Sequence, residues 1–440
     1  MPYTILITVN ILILIIIAWR ATIKRPEIKQ MVCLSDDDLV RALLPFAREM
    51  RITEYGKGYN LASLYPVIHR AYKLIEAKVK KNKVLFEYEK WLYQNIYLVK
   101  RFIFSKQKNS FKNLPHSNGE VRITALARFI VNRSLNCLNS QRISLALNTI
   151  KNQLSLSFSE ILLFNDAISY AAIEQIYILC QRILFHSKCA RLSRKGMIIK
   201  RKMVSDVYNY FLLNNPKLKE EAERQLRRMG INPQSIAFNY NLSLTHSTKM
   251  AESLFKALLN YNDYLPKDER LEYHNVTSIL KEQKEYDKMS MNTKYSFFRI
   301  IEKISEKLNI SEMVVAKALV EMADKNNTDI ATILYDHYYT LKRAVKTGQT
   351  LAIPTKRSNK RECWYIISII TTTLAFGAGG WLWTGSVVAA LLSLVPIFFI
   401  VEFLINTILS HLVEQKTLPQ MNYQKIPPEH NTMVVISEFL

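Results

Sequence analysis

Apolar side chains recur at three- and four-residue spacing through most of the chain, the signature of helices that bury one face. The pattern predicts helices over Leu61–Lys80, Leu85–Phe104, Val121–Leu138, Ser140–Leu154, Ser157–Phe185, Arg194–Leu213 and Leu242–Asn260, followed by Phe297–Lys307 and Ser311–Ala323. An earlier helix opens in LSDDDLVRALLPFAREM, where Ser35 is a good N-cap and Asp36–Asp38 set negative charge on the helix's positive end. Ser157 with Glu160, and Ser311 followed by Glu312, mark further helix starts. Breaks fall at Tyr55-Gly56-Lys57-Gly58, Pro115–Gly119, Asn214-Asn215-Pro216, Gly230–Pro233 and Pro266-Lys267-Asp268. No stretch before residue 432 alternates convincingly as a strand. The expectation is an all-α chain whose helices pack on their neighbours as an α-solenoid or irregular bundle.

Three stretches are apolar on every side. Residues 2–19, PYTILITVNILILIIIAW, carry no charge and as a helix would span about 27 Å, close to a bilayer core of roughly 30 Å. A signal peptide would need a basic lead and a small-residue cleavage site, whereas no Lys or Arg precedes this stretch and Trp19-Arg20 follows it. It reads as a transmembrane helix. Residues 363–383 and 387–410 form two more, joined by Thr384-Gly385-Ser386 into a hairpin, with Trp364, Tyr365, Trp381 and Trp383 placed as interfacial aromatics. Pro396 interrupts the third span, and Glu402 is its one charge. An ionisable group inside a span is a candidate functional site. Glu402 also lies about two turns from the helix end, near enough to snorkel or to bond a neighbouring helix.

Charge decides the orientation. Arg20, Lys24, Arg25 and Lys29 follow the first span, Lys356, Arg357, Lys360 and Arg361 precede the second, and Lys416 follows the third. All of these assign residues 20–362 and the C-terminal tail to the cytoplasm. The domain expectation is therefore a span at 2–19, a cytoplasmic helical domain at 20–355, spans at 363–383 and 387–410, and a cytoplasmic tail at 416–440. The net charge is +23; residues 363–440 are slightly acidic, so the excess sits in 20–362. It clusters at Lys73, Lys78, Lys80, Lys81 and Lys83, and again at Lys188, Arg191, Arg194, Lys195, Lys200, Arg201 and Lys202. Apposition to an anionic inner leaflet explains such clusters at about 1 kcal/mol per basic residue near the surface. A solvated face and a nucleic-acid surface compete with it, and the latter would also need exposed aromatics or a groove-reading element.

The chemistry that would mark an enzyme is sparse. Ten glycines in 440 residues argue against Rossmann and P-loop folds, whose phosphate turns consume glycine. No G-x-S-x-G, P-loop or G-x-G-x-x-G occurs, and Gly56-Lys57-Gly58 is too short. The eight histidines are scattered, and among five cysteines Cys180 and Cys189 lack metal spacing. Asp36–Asp38 point about 100° apart on a helix, so they cap rather than converge on an ion. Glu302 and Glu306 read as a solvated helix face. No catalytic, cofactor-binding or metal-ligating residue is assigned.

One pattern is more specific. Pro396 in a membrane helix, Asn406, Leu418-Pro419, Ile426-Pro427 and then Thr432-Met433-Val434-Val435 occur in an order that resembles the amino-terminal part of the cyclic β-1,2-glucan synthases. These are very large bacterial inner-membrane glycosyltransferases. Trp91-Leu92 with Asn95, Tyr97 and Leu98, the helix start at Leu154–Glu160, Tyr286, Met289, Thr293 and Arg299, and His337-Tyr338-Tyr339 are similar to further elements of that family. The likeness covers roughly residues 40–436, although the glycine of the family's His-Val-Gly-Tyr-Tyr element is absent. The family strand runs on into Pro-Thr where this chain has Ser437-Glu438-Phe439. The resemblance implies a membrane-anchored scaffold region, non-catalytic by itself, that stops at the first strand of a missing transferase domain. UDP-glucose and Mg²⁺ are implied only for that domain. The partners implied are the inner-membrane bilayer and a separately encoded glycosyltransferase chain, with no nucleic acid. The alternative is a stand-alone membrane-tethered helical interaction protein unrelated to glucan synthesis.

Overall fold

Helices dominate wherever the chain is described, which in the computed structural model is residues 31–56, 61–105, 111–193, 223–224, 227–228, 230, 232–349, 360–412 and 419–422. The span expected at 2–19, the helix expected over Arg194–Leu213 and the strand expected from Thr432 lie outside these residues. The chain divides between Asn275 and Val276 into two units.

The first unit contains α1 (Asp36–Glu49), β1 (Glu54–Tyr55), α2 (Tyr65–Lys80), α3 (Glu87–Ser105), β2 (Pro115–Ser117), β3 (Glu120–Val121), α4 (Arg122–Asn132), α5 (Ser140–Lys151), α6 (Phe158–Leu162), α7 (Phe164–Ser193), α8 (Pro233–Leu259) and α9 (Lys267–Arg270). Side-chain caps start the helices where the sequence places them. Ser35 accepts the Asp38 N–H, and Ser157 with Glu160 forms a complete capping box. Asn139 and Asn232 cap α5 and α8, with Pro233 in the first turn of α8. The expected helix Val121–Leu138 stops at Asn132, because the next residues turn and pair with residues 32–34. The expected helix Ser157–Phe185 is two helices, α6 and α7, joined through Leu163.

Helix α7 organises the unit. Ala167, Ile168, Ala171, Ala172, Ile173 and Ile176 are all 1% exposed or less, which makes α7 a helix buried on most of its circumference. Its alanines let α2, α4 and α8 approach, while α8 also packs on α3 and α1 packs on α5. Because α8 reaches back to α3, the first unit is an irregular bundle rather than a solenoid, in which each repeat touches only its neighbours.

A buried ion pair joins this core. The Arg122 guanidinium donates to both Glu160 carboxylate oxygens and, at 3.0 Å, to the Ser155 carbonyl. The Ser157 N–H donates to Glu160 as well, at 2.8 Å. The two side chains are 4% and 0% exposed, so each charge depends on the other. A second hub is Arg142, which donates to Ser134 Oγ, the Leu34 and Arg133 carbonyls and Asp36.

The first unit also holds a small antiparallel sheet, ordered β1-β2-β3, that the helical pattern does not announce. Ser117 pairs with Glu120 across Asn118 and Gly119, whose φ angles are +53° and +77°. This is the left-handed pair that a two-residue hairpin needs. Gly56 lies against the His116 ring, where a Cβ would stand 2.8 Å from Cε1.

The second unit contains α10 (Asn275–Leu280), α11 (Met291–Leu308), α12 (Glu312–Asn326), α13 (Ile330–Asp336), α14 (Tyr338–Thr347), α15 (Lys360–Thr384) and α16 (Val387–Leu412). Ser290, Ser311 and Asp329 cap α11, α12 and α13, and left-handed Asn309, Asn327 and Gly348 end α11, α12 and α14. Helix α12 packs on α11, α13 and α14. Burial and the nearby Glu285 carboxylate raise the Asp329 carboxyl above its ordinary value, against the backbone N–H groups that it caps.

Two outcomes follow from these buried charges. Arg122→Met leaves the Glu160 charge buried without its partner and should cost about 3–5 kcal/mol; adding Glu160→Gln should restore most of that loss, read as denaturant midpoints. Asp329 has a raised folded-state value, so its contribution is full below its unfolded value and is lost as pH rises through the raised one. Asp329→Asn keeps a capping oxygen and should flatten that fall in stability between acid and neutral pH.

Candidate functional site

The described residues with the most distinctive chemistry form the hairpin α15–α16. Residues Tyr365–Leu382 and Leu391–Leu409 are each long and apolar enough to cross a membrane, and only 17% and 6% of these stretches are buried within the protein. Core helices of soluble domains bury such surface; here Leu374, Phe376, Leu382, Leu392, Phe399 and Phe403 face outward. The turn is closed by Gly385, left-handed at φ +65°, whose N–H donates to the Trp381 carbonyl.

Several hydroxyls of the hairpin donate to carbonyls of their own helix, as an apolar solvent would favour. The Thr371, Thr372 and Thr373 hydroxyls donate to the carbonyls of Ile367, Ser368 and Ile369, and Thr407 donates to Phe403. Two contacts set the spacing of the helices. The Tyr365 hydroxyl donates to Asn406 Oδ1 at 2.8 Å. Further along, Gly377 meets Leu394, where a Cβ would stand 2.5 Å from Cδ2. Between them lies an apolar groove of about 340 Å³ lined by Ile370, Thr373, Leu374, Leu394, Val395, Phe398 and Phe399. Helix α16 runs through Pro396, which has no N–H to give the Leu392 carbonyl. Glu402 is half-buried, one turn along the face that carries Val395, Phe398 and Phe399.

After the hairpin, residues 419–422 meet the start of α11 within the same unit. The Ser290 N–H donates to the Gln420 carbonyl at 2.8 Å, the Asn422 N–H to the Lys288 carbonyl at 2.7 Å, and the Gln420 N–H to Thr293 Oγ1 at 2.8 Å. Met289 and Met421 form an antiparallel bridge. Thus the stretch around Tyr286, Met289 and Thr293 and the tail after Leu418-Pro419 are brought together. Spacing in the sequence gives no hint of that pairing.

Asp36–Asp38 cap α1, and Asp36 also accepts from Arg142. Glu302 is 8% exposed, so the expectation of a solvated face is corrected at that position; Glu306 is exposed. The first basic cluster is partly neutralised, with Lys73 and Lys80 on Glu76 and Lys78 on Glu89. Beside it, Phe104, Tyr65, His69, Tyr72 and Tyr93 form a continuous row of rings along α2 and α3, with Lys100 over Tyr72. Most of the second basic cluster lies outside the described residues. Cys180 is fully buried, and burial pushes its thiol up, away from reactivity. Cys33 and Cys137 form a disulfide, which scattered cysteines in the sequence did not suggest. Among the described residues no three His, Cys, Asp or Glu side chains converge as a metal site. The chain matches no protein-family model and no curated protein.

The hairpin contacts are directly testable. Gly377→Leu should splay the helices and lower the resistance of the hairpin to SDS, whereas Gly379→Ala, whose Cβ meets nothing within 4 Å, should leave it unchanged. Tyr365→Phe should cost about 0.6 kcal/mol, the average for an interhelical hydrogen bond in a membrane.

Proposed function

We propose that this chain is a membrane-anchored, non-catalytic helical scaffold that holds a glycosyltransferase domain at the bacterial inner membrane, as its resemblance to the amino-terminal part of cyclic β-1,2-glucan synthases implies. The observation that carries this reading is the return of residues 419–422 onto Lys288–Thr293. A hairpin whose exit strand is hydrogen-bonded to its own helical unit gives whatever follows a defined starting position. A free tail would not. In the proposed orientation residues 20–362 and the tail are cytoplasmic, with Thr384-Gly385-Ser386 outside. The excess of basic side chains on the surface of 20–362 is then suited to an anionic leaflet, and the groove beside Glu402 lies within the bilayer. UDP-glucose and Mg²⁺ belong to the transferase partner and not to this chain.

Incubation of the purified 440-residue chain with UDP-glucose and Mg²⁺ should give no glucan, and robust incorporation would overturn the scaffold reading. Co-expression with a family transferase domain should place that domain in the membrane fraction. Deletion of residues 419–422 should release it or leave it misplaced. Labelling of a cysteine introduced at Ser386 from the outer face only would support the proposed orientation; labelling from the cytoplasmic face would reverse it.

A further inference from the structure

Residues 31–35, the first described segment after the apolar stretch 2–19, are stitched onto the first unit by several independent bonds. Met31 is 1% exposed, and its carbonyl lies 2.7 Å from His246 Nε2. Val32 and Leu34 donate to the carbonyls of Asn132 and Arg133, and Leu135 donates back to Val32. The Arg142 guanidinium then binds the carbonyls on both sides of the junction, at Leu34 and Arg133. Within this junction Cys33 and Cys137 are joined, with Cα atoms 6.5 Å apart and 104 residues between them in sequence. Cys33 is exposed and Cys137 half-buried.

We infer that Cys33 and Cys137 form a thiol–disulfide exchange site that reversibly latches the segment following residues 2–19 to the end of α4. Two observations point to exchange rather than to a sealed structural crosslink. Backbone bonds, His246 and Arg142 hold the junction besides the sulfur bridge, so the covalent bond adds a lock to an interface that has other contacts. Cys33 is open to a small reagent, while Cys137 is near enough to resolve it. Cys180, which is fully buried, serves as an internal control. The co-reactant is a low-molecular-weight disulfide. The Cys33 thiolate attacks one of its sulfurs, forming a mixed disulfide and releasing one thiol; the Cys137 thiolate then displaces the second. The protein dithiol loses two electrons and two protons, and the small disulfide becomes two thiols. The reverse reaction opens the latch. This inference is independent of the glucan-synthase reading, because it concerns only the first unit.

The test equilibrates the full chain in detergent with mixtures of reduced and oxidised glutathione, then denatures it and labels free thiols with maleimide-polyethylene glycol. The expected result is a reversible step of two labels between the oxidising and reducing ends. The step should vanish in Cys33→Ser and in Cys137→Ser and persist in Cys180→Ser. The oxidised chain should melt roughly 10 °C above the reduced one, as expected for a crosslink closing a loop of about 100 residues. The Cys33→Ser/Cys137→Ser chain should fold and melt with the reduced form. A label count that ignores the glutathione ratio, or a two-label step that survives Cys33→Ser, would overturn the inference.

Discussion

Everything in the first unit depends on burying α7. A thirty-residue helix whose middle turns are closed to solvent must be covered from several directions at once, so helices far apart in sequence converge on it. Alanines at 167, 171 and 172 let them come close, and the isoleucines between fill the remaining space. That convergence is also what removes Arg122 and Glu160 from water. Their pairing is the consequence of a core that closes over the start of α6, and the capping box at Ser157 gives the same carboxylate a second task. A buried charge with three donors around it specifies one arrangement of α4 and α6 and penalises the alternatives.

The hairpin obeys the opposite rule. Many of its large side chains point outward, its threonine hydroxyls donate to their own helix, and its helices meet at Gly377–Leu394 and through the Tyr365–Asn406 bond among other contacts. Such a design suits a solvent that offers apolar contact everywhere and hydrogen bonds nowhere. A small residue at the seam and hydroxyls bonded within their own helix are what helix association in an apolar solvent favours. Residues 419–422 meet the N-terminus of α11, where Thr293 both accepts from and donates to Gln420.

The reach of the sequence depended on the range of the interaction involved. Caps at Ser35, Ser157 and Ser311 were legible because each acts within three residues. Two helices near the end of the chain, each long and apolar enough to cross a membrane, were legible because length and composition alone decide that property. The small sheet was missed although Asn118-Gly119 is the strongest short hairpin signal available. Its strands are two and three residues long, too short for alternation to register. Glu302 was misjudged because a carboxylate at helical spacing looks solvated until a second helix lies over it.

The amino-acid sequence by itself determined that the chain is helical, where most helices begin, that two helices near its end are apolar all round, and that phosphate-binding and metal motifs are absent from it. These are properties of composition and of contacts a few residues apart. Only the tertiary structure decided that Arg122 neutralises Glu160, that Cys33 lies against Cys137 and that Gln420 returns to Ser290 and Thr293. Each of those pairs is separated by tens to more than a hundred residues. Their meeting depends on how the intervening helices pack, and no local pattern encodes it.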